Sequence, residues 1–169
     1  MQLPPIPLRQ RDGVSCGPSV AIVTGALLDA DYRAELATPA WFEAEQTRVH
    51  RSVNVLWPRF LGTTPAAIAR AVNEHSGVRY RWRLVRRRDR LLDVREAVLL
   101  GRPVPMLVGR IIPRHWVSLV NVVGTQAFQC YEPSSGELRT VTAAAIRGAR
   151  LTGVGFPRAF AFVLPSHSL

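Results

Sequence analysis

This sequence of 169 residues has no lysine, only two cysteines, and no apolar run near the roughly 18 residues that a membrane-spanning helix requires. Two cysteines are too few for the dense disulfide frameworks of small secreted folds, and no CxxC or HxxxH spacing indicates a zinc site. The N-terminus MQLPPIPLRQ also lacks a basic segment that leads into an apolar one. We therefore expect no signal peptide and no membrane span, and nothing in the sequence calls for a metal or an organic cofactor.

The positive charge of the chain is large and comes entirely from arginine. There are 22 arginines against 12 acidic residues, a formal net charge of +10 at pH 7. The electrostatic field of this positive charge attracts nucleic acid, acidic proteins and anionic membrane surfaces. It therefore limits the class of partner but does not identify it. The use of arginine in place of every lysine most simply reflects a GC-rich genome.

Arginine is concentrated between residues 78 and 90, in VRYRWRLV and the run RRRDR. The alternation in VRYRWRLV predicts a strand with its arginines, Arg83 among them, on one side and with Tyr80 and Trp82 on the other. Because the aromatic and basic side chains then point apart, they do not form a platform on which bases stack. We expect a solvated outer face of an edge strand. Specific nucleic-acid binding is therefore disfavoured, and an acidic protein partner or substrate fits the charge at least as well.

The order of helical and extended patterns predicts an α+β arrangement, with helices first and a mostly antiparallel sheet second. With 47% hydrophobic residues, the length suits one domain over residues 1–169, in which the proline-rich residues 1–8 form an extended lead-in. Apolar periodicity, caps and breakers predict helices over residues 15–28, 32–50 with a break at Pro39, 63–77, 88–101 and 142–149. The same patterns predict strands over residues 78–85, 104–112, 115–124, 127–132, 137–141 and 159–165.

The stretch RQRDGVSCGPS places Cys16 at the start of the first helix. Unpaired N–H groups and the helix dipole stabilise a thiolate, the reactive form of cysteine, at this position. Cys130 lies in the apolar strand pattern AFQCY, where a buried and inert thiol is the commoner outcome. Cys16 is therefore the candidate nucleophile. The alternatives are a small buried hydrophobic residue at position 16 and, less favoured than free thiols, a disulfide between the two cysteines.

One of the four histidines is placed to act as a base. His115 begins a strongly apolar strand directly after a Pro-Arg turn that could aim its ring at a cleft. His50 and His75 fall on predicted helix surfaces, and His167 lies in the C-terminal tail. We therefore predict that His115 is the general base.

A catalytic imidazole needs a third group that holds its other ring nitrogen. Glu132 ends the strand after that of His115, and antiparallel pairing would bring its carboxylate beside the ring. Asn121, on the His115 strand, is an alternative. Gln10, six residues before the cysteine, can donate its side-chain amide to an oxyanion together with the Cys16 backbone N–H. The predicted catalytic residues are Cys16, His115, Glu132 and Gln10.

With these pieces in this order, the chain resembles papain-like cysteine peptidases, and more narrowly the bacterial double-glycine leader peptidase domains and their relatives. The matching pieces are Gln10 with RDGVSCGPS, RHWVSLVNVVG and CYEPSSGEL, spread over roughly residues 10–140. The resemblance implies that Cys16 attacks a carbonyl, that His115 acts as base and then acid, and that residue 132 orients the histidine. It also implies the papain-like fold, in which a helix carrying the cysteine packs on a sheet carrying the histidine.

Two positions depart from the pattern of that family. Ser19 stands where many relatives carry alanine, and Glu132 replaces an aspartate, which is one methylene shorter. Residues 30–75 match no motif, and we expect substrate specificity to be built there.

The function that this resemblance implies is hydrolysis of a peptide bond in a protein or peptide substrate. The same triad can also deamidate glutamine or transfer acyl groups as transglutaminases do, and a relative without activity would be a basic binding module. Papain-like domains also occur as toxic C-terminal parts of secreted bacterial effectors, guarded by an acidic immunity protein. We therefore expect a cytoplasmic protein, or one delivered into a target cell by a separate export region.

Overall fold

A computed structural model describes residues 7–53 and 63–166 of the chain. Most of the predicted lead-in and His167 lie outside these described residues. Within the described part, the helices are α1 Cys16–Leu28, α2 Ala30–Glu35, α3 Pro39–Val53, α4 Pro65–Asn73, α5 Leu92–Leu99 and α6 Ala143–Arg147. The strands are β1 Tyr80–Leu84, β2 Val104–Gly109, β3 Pro113–Val123, β4 Ala127–Glu132, β5 Glu137–Thr142 and β6 Arg158–Pro165.

The strands form a six-stranded sheet in the order β1-β6-β2-β3-β4-β5, and every neighbouring pair is antiparallel. The predicted α+β arrangement is therefore confirmed. The final strand of the described residues, β6, lies in the interior of the sheet between β1 and β2.

Helices cover both faces of this sheet. On one face α1 contacts β2 and β3 while α4 contacts β1 and β6, and on the other face α5 contacts β2, β3 and β6. The first core includes Leu107 and Trp116, whereas the second includes Met106 and Val117, as expected when side chains alternate along a strand. Because both faces are covered, every residue of β2 is buried. Such a strand reads as a continuous apolar run rather than an alternating one.

The start and the end of α4 show how local chemistry sets the boundaries of a helix. In α4 the side chain of Thr64 accepts a hydrogen bond from Ala67 N, and Pro65 occupies the first helical position, as predicted. The helix ends at Asn73, short of the predicted stop. There the Asn73 side chain binds both backbone groups of Tyr80, at 2.6 Å and 3.1 Å, and so pairs the end of the helix with the first strand.

The prediction that the arginines of β1 face solvent is wrong for Arg83. Its guanidinium binds Asp89 at 2.6 Å and Asp93 at 2.7 Å, and it lies over the ring of Phe162 at 5.0 Å. The side chain is only 15% exposed, because the segment that follows β1 supplies two carboxylates in place of water. Trp82, on the opposite side of the strand, is 48% exposed.

Candidate active site

The candidate site lies where α1 begins, beside the strand termini at which β3 begins and β4 ends. These two strand termini meet because β3 and β4 run antiparallel, with Ser118 opposite Tyr131. The contact of α1 with β3 brings the start of this helix to the same termini. A cavity of about 400 Å³ opens there, and Cys16, His115 and Gln10 all line it.

His115 is bound to a carboxylate and lines the same cavity as the Cys16 thiol. Its Nε2 lies 2.8 Å from Oε1 of Glu132, and both residues are 7% exposed. Burial disfavours the charged ring, but hydrogen bonds with Cys16 and Glu132 outweigh burial and raise the pKa of His115 to about 9. With Nε2 occupied by Glu132, Nδ1 is the ring nitrogen available to the sulfur. The ring is therefore protonated at neutral pH, and it lines the same cavity as the candidate nucleophile.

Glu132 is fixed by the turn that follows it. Oε1 accepts a hydrogen bond from Ser134 N and Oε2 accepts one from Ser135 N, both at 2.9 Å. Burial raises the pKa of this carboxyl, but the hydrogen bonds with His115 and the two serines outweigh it and lower the pKa to about 2. Gly136 closes the turn with φ +72°, a conformation that favours glycine. The longer side chain of glutamate thus folds back over its own turn and still reaches the imidazole.

Asn121, the alternative partner for the histidine, binds elsewhere. It is exposed, its Nδ2 donates to Gln129 at 3.4 Å, and its Oδ1 accepts from Val122 N at 2.9 Å. The structure therefore brings Glu132, and not Asn121, to His115.

Gln10 connects the segment before the cysteine to the turn after Glu132. Its backbone N–H donates to Pro133 O at 2.7 Å, and its Oε1 accepts from the Ser134 hydroxyl at 3.4 Å. Its Nε2 donates to Asp12 O at 2.7 Å. Because an amide nitrogen carries two hydrogens, this bond leaves a second donor on Gln10 for a ligand in the cavity.

A hydrogen-bonded loop delivers Cys16 to the first position of α1. Asp12 N donates to the Ser15 hydroxyl at 2.9 Å, and the Asp12 carboxylate accepts from Val14 N at 3.1 Å. The Ser15 carbonyl accepts from the hydroxyl of Ser19 at 2.8 Å. Ser19 is fully buried, so its hydroxyl has a structural use that alanine would lack.

The two cysteines lie in different environments and are not paired. Cys130 is fully buried in the second core, whereas Cys16 belongs to the first core and lines the cavity. Burial raises the pKa of the Cys130 thiol above its usual range. Cys16 is thus the only one of the two that can meet a substrate in this cavity.

The prediction that His75 lies on a helix surface is wrong. It follows α4 in a turn and is half-buried, its ring stacks on Tyr32 with 3.6 Å between centroids, and its Nδ1 lies 3.4 Å from Asp29. His50 is half-buried on α3. Neither of these two histidines lines the cavity of Cys16.

Two further residues that sequence reasoning missed contact the site. The ring centroid of Phe156 lies 5.8 Å from that of His115. Thr63 accepts a hydrogen bond from the indole N–H of Trp116 at 2.8 Å, and its own buried hydroxyl has no hydrogen-bond partner among the described residues. No local pattern marks either position, because each reaches the site through tertiary packing alone.

Thr63 also leaves no room for a side chain beside the nucleophile. A Cβ added at Gly17 would lie 2.5 Å from the Thr63 Oγ1 and 2.6 Å from its Cβ. We predict that Gly17→Ala destabilises the fold, because overpacking costs about 1–3 kcal/mol while alanine gains only about 1 kcal/mol in helix propensity. Urea denaturation measures the difference. Gly77→Ala is the matched control, since nothing lies within 4 Å of its added Cβ, and equal stability of the two variants would contradict the prediction.

Among residues 7–53 and 63–166, no group of three or more His, Cys, Asp or Glu side chains is arranged to hold a metal ion. None of the helices in the same ranges is both long and apolar enough to cross a membrane. Comparison of the chain with models of known protein families and with curated proteins found no match.

Proposed function

We propose that this protein is a papain-like cysteine peptidase that hydrolyses a peptide bond in a protein or peptide substrate. The observation that carries the proposal is the buried His115, which binds Glu132 through Nε2 at 2.8 Å and lines one cavity together with Cys16. A thiolate beside an imidazolium is a nucleophile with its proton donor already in place.

In the first half of the reaction, the Cys16 sulfur attacks the scissile carbonyl carbon and the carbonyl oxygen becomes an oxyanion. His115 then gives its proton to the leaving amine as the carbon–nitrogen bond breaks, which leaves an acyl-enzyme and a neutral imidazole. In the second half, the neutral ring takes a proton from water, the resulting hydroxide attacks the thioester carbonyl, and the thiolate leaves beside a restored imidazolium. Glu132 stabilises the charged ring in both halves without taking a proton itself.

Two donors are available for the oxyanion. The backbone N–H of Cys16, in the first turn of α1, has no partner within the helix. Gln10, whose amide has a second hydrogen to donate, lines the same cavity, and its backbone bond to Pro133 holds it near the turn of Glu132. Fixed donors of this kind stabilise the tetrahedral intermediate because no reorganisation is needed as charge develops.

The proposed fold family rests on the same arrangement. A buried helix carries the cysteine at its first residue, and it contacts the antiparallel strand that carries the histidine. The adjacent strand ends at the carboxylate. This is the relation of elements that the resemblance to papain-like peptidases implies.

The test of the reaction type is mass spectrometry of a mixture of cell proteins treated with the protein. We expect new peptide termini, each pair of products summing to the mass of one substrate plus water. A mass gain of about one unit without cleavage, with release of ammonia, would instead identify a glutamine deamidase. The absence of both changes under reducing conditions would favour an inactive binding module.

A further inference from the structure

A second region of the molecule carries a dense group of arginines and has no residue in common with the cavity around Cys16. Two cavities, of about 410 Å³ and about 550 Å³, share the segment Arg90, Leu91 and Leu92, which lines both of them. We name the residues that line them the Arg90 surface.

The smaller cavity brings together arginines from three elements. Arg90 precedes α5, Arg95 lies on α5, and Arg147 ends α6. The Nη1 of Arg95 donates to Thr125 O at 2.8 Å, which fixes this guanidinium against the turn between β3 and β4. The described lining of this cavity contains no Asp or Glu. Three positive charges therefore surround a concave space without a carboxylate of its own.

The larger cavity has the same sign of charge for a different reason. Its two acidic residues, Asp89 and Asp93, are both bound to Arg83 at the edge of the sheet. The lining arginines on either side of Asp89 are exposed, and these are Arg86, Arg87, Arg88 and Arg90. The two carboxylates are thus bound to Arg83, while the four lining arginines remain exposed to solvent.

The loop that carries these arginines is held in one conformation. The Asp89 carboxylate accepts hydrogen bonds from Arg86 N at 3.1 Å and from Leu91 N at 3.0 Å. Arg88 and Leu91 have φ values of 60° and 56°, in the left-handed region that a chain adopts only when its surroundings impose it. Because the loop is already ordered, a ligand meets its charges at a reduced entropic cost.

An apolar side chain lies among the charges. Leu92 is 60% exposed and lines both cavities. The one aromatic residue in the described lining, Phe128, is only 2% exposed and offers no face on which a nucleic-acid base could stack. Guanidinium groups bind carboxylates in pairs of parallel hydrogen bonds, and the leucine favours a ligand with an apolar group between its charges. We therefore propose that the Arg90 surface binds an acidic polypeptide segment in which carboxylates alternate with apolar residues.

The test is fluorescence anisotropy with a fluorescein-labelled peptide that alternates glutamate and leucine. The variant R90E/R95E/R147E should bind this peptide at least about tenfold more weakly than the wild type, and added salt should weaken the wild-type complex. The matched control is R51E/R70E/R79E, which makes the same change of charge at three exposed arginines outside this surface, and it should retain most of the affinity. Circular dichroism verifies the folding of both variants, and R90Q/R95Q/R147Q replaces the first if charge reversal prevents folding.

Three outcomes would overturn the inference. One is equal loss of affinity in the two charge-reversal variants, which would mean that only the net charge matters. Another is equal binding of a peptide with serine in place of glutamate. The third is tighter binding of a single-stranded oligonucleotide, or of vesicles of phosphatidylglycerol, than of the acidic peptide. None of these results depends on activity at Cys16.

Discussion

Replacing Cys16 by alanine is expected to lower kcat/KM for peptide cleavage by roughly 10⁴-fold or more, to the level left by binding and oxyanion donors alone. The reason is that no other described group in the cavity has the nucleophilicity of a thiolate. The measurement is the initial rate on a peptide that spans a cleaved bond, with the wild type and the variant at equal concentration.

The chain offers a matched control for this loss. Cys130→Ala removes the other thiol, which is fully buried in the second core and does not line the cavity. This control should keep wild-type kcat/KM while losing some stability, because it leaves a small cavity in the core. A Cys16→Ala protein that is folded and still cleaves the peptide at the wild-type rate would end the proposal of a thiol mechanism.

Glu132→Gln is expected to reduce kcat/KM by roughly 10²–10⁴-fold, because a neutral amide stabilises the imidazolium less and can hold the wrong tautomer of the ring. Glu132→Asp keeps the charge and should fall between the wild type and Glu132→Gln. Its side chain is one methylene shorter, so we expect it to weaken the bond to the imidazole or the bonds from the amides of Ser134 and Ser135, which Glu132 accepts at 2.9 Å.

The pH dependence distinguishes this role from a merely structural one. The pKa of His115 is raised to about 9, in part by its bond to Glu132. Alkylation of Cys16 by iodoacetamide reports the proton on the ring, and its profile should change near pH 9 in the wild type and at a lower pH in Glu132→Gln. An unchanged profile in the variant would show that the carboxylate does not hold the ring in its charged form.

The same shift has a defined sign for folding stability. Because the pKa of His115 is higher in the folded protein than its unfolded value of about 6.5, protonation stabilises the fold fully below that pH. This contribution is lost as the pH rises through about 9. The melting temperature of the wild type should therefore fall between a pH of about 6.5 and about 9. It should fall more steeply than the melting temperature of Glu132→Gln.

The elements that the sequence predicts well are those with local signals. The apolar run that begins at Cys16 ends at Leu28 as expected, and Thr64 with Pro65 marks the start of α4. The proximity of His115 and Glu132 could be predicted from the sequence, because the start of one strand lies beside the end of its antiparallel neighbour.

The remaining features depend on contacts between distant residues, which no local pattern contains. The strand pattern predicts that Arg83 is exposed, whereas in the structure its guanidinium binds Asp89 and Asp93. Phe156 lies near His115 because the segment before β6 returns to the edge of the sheet where β3 begins. The placement of α5 on the second face of the sheet was likewise set by the packing of two apolar faces, since the helix pattern alone does not choose between them.

The position of β6 between β1 and β2 has a consequence for the order of events during synthesis. Every other strand of the described sheet precedes β6 in the chain. A nascent polypeptide from which β6 has not yet emerged therefore lacks the strand that joins β1 to β2 and the other strands. Association of β1 with the sheet must therefore wait until translation has passed residue 165.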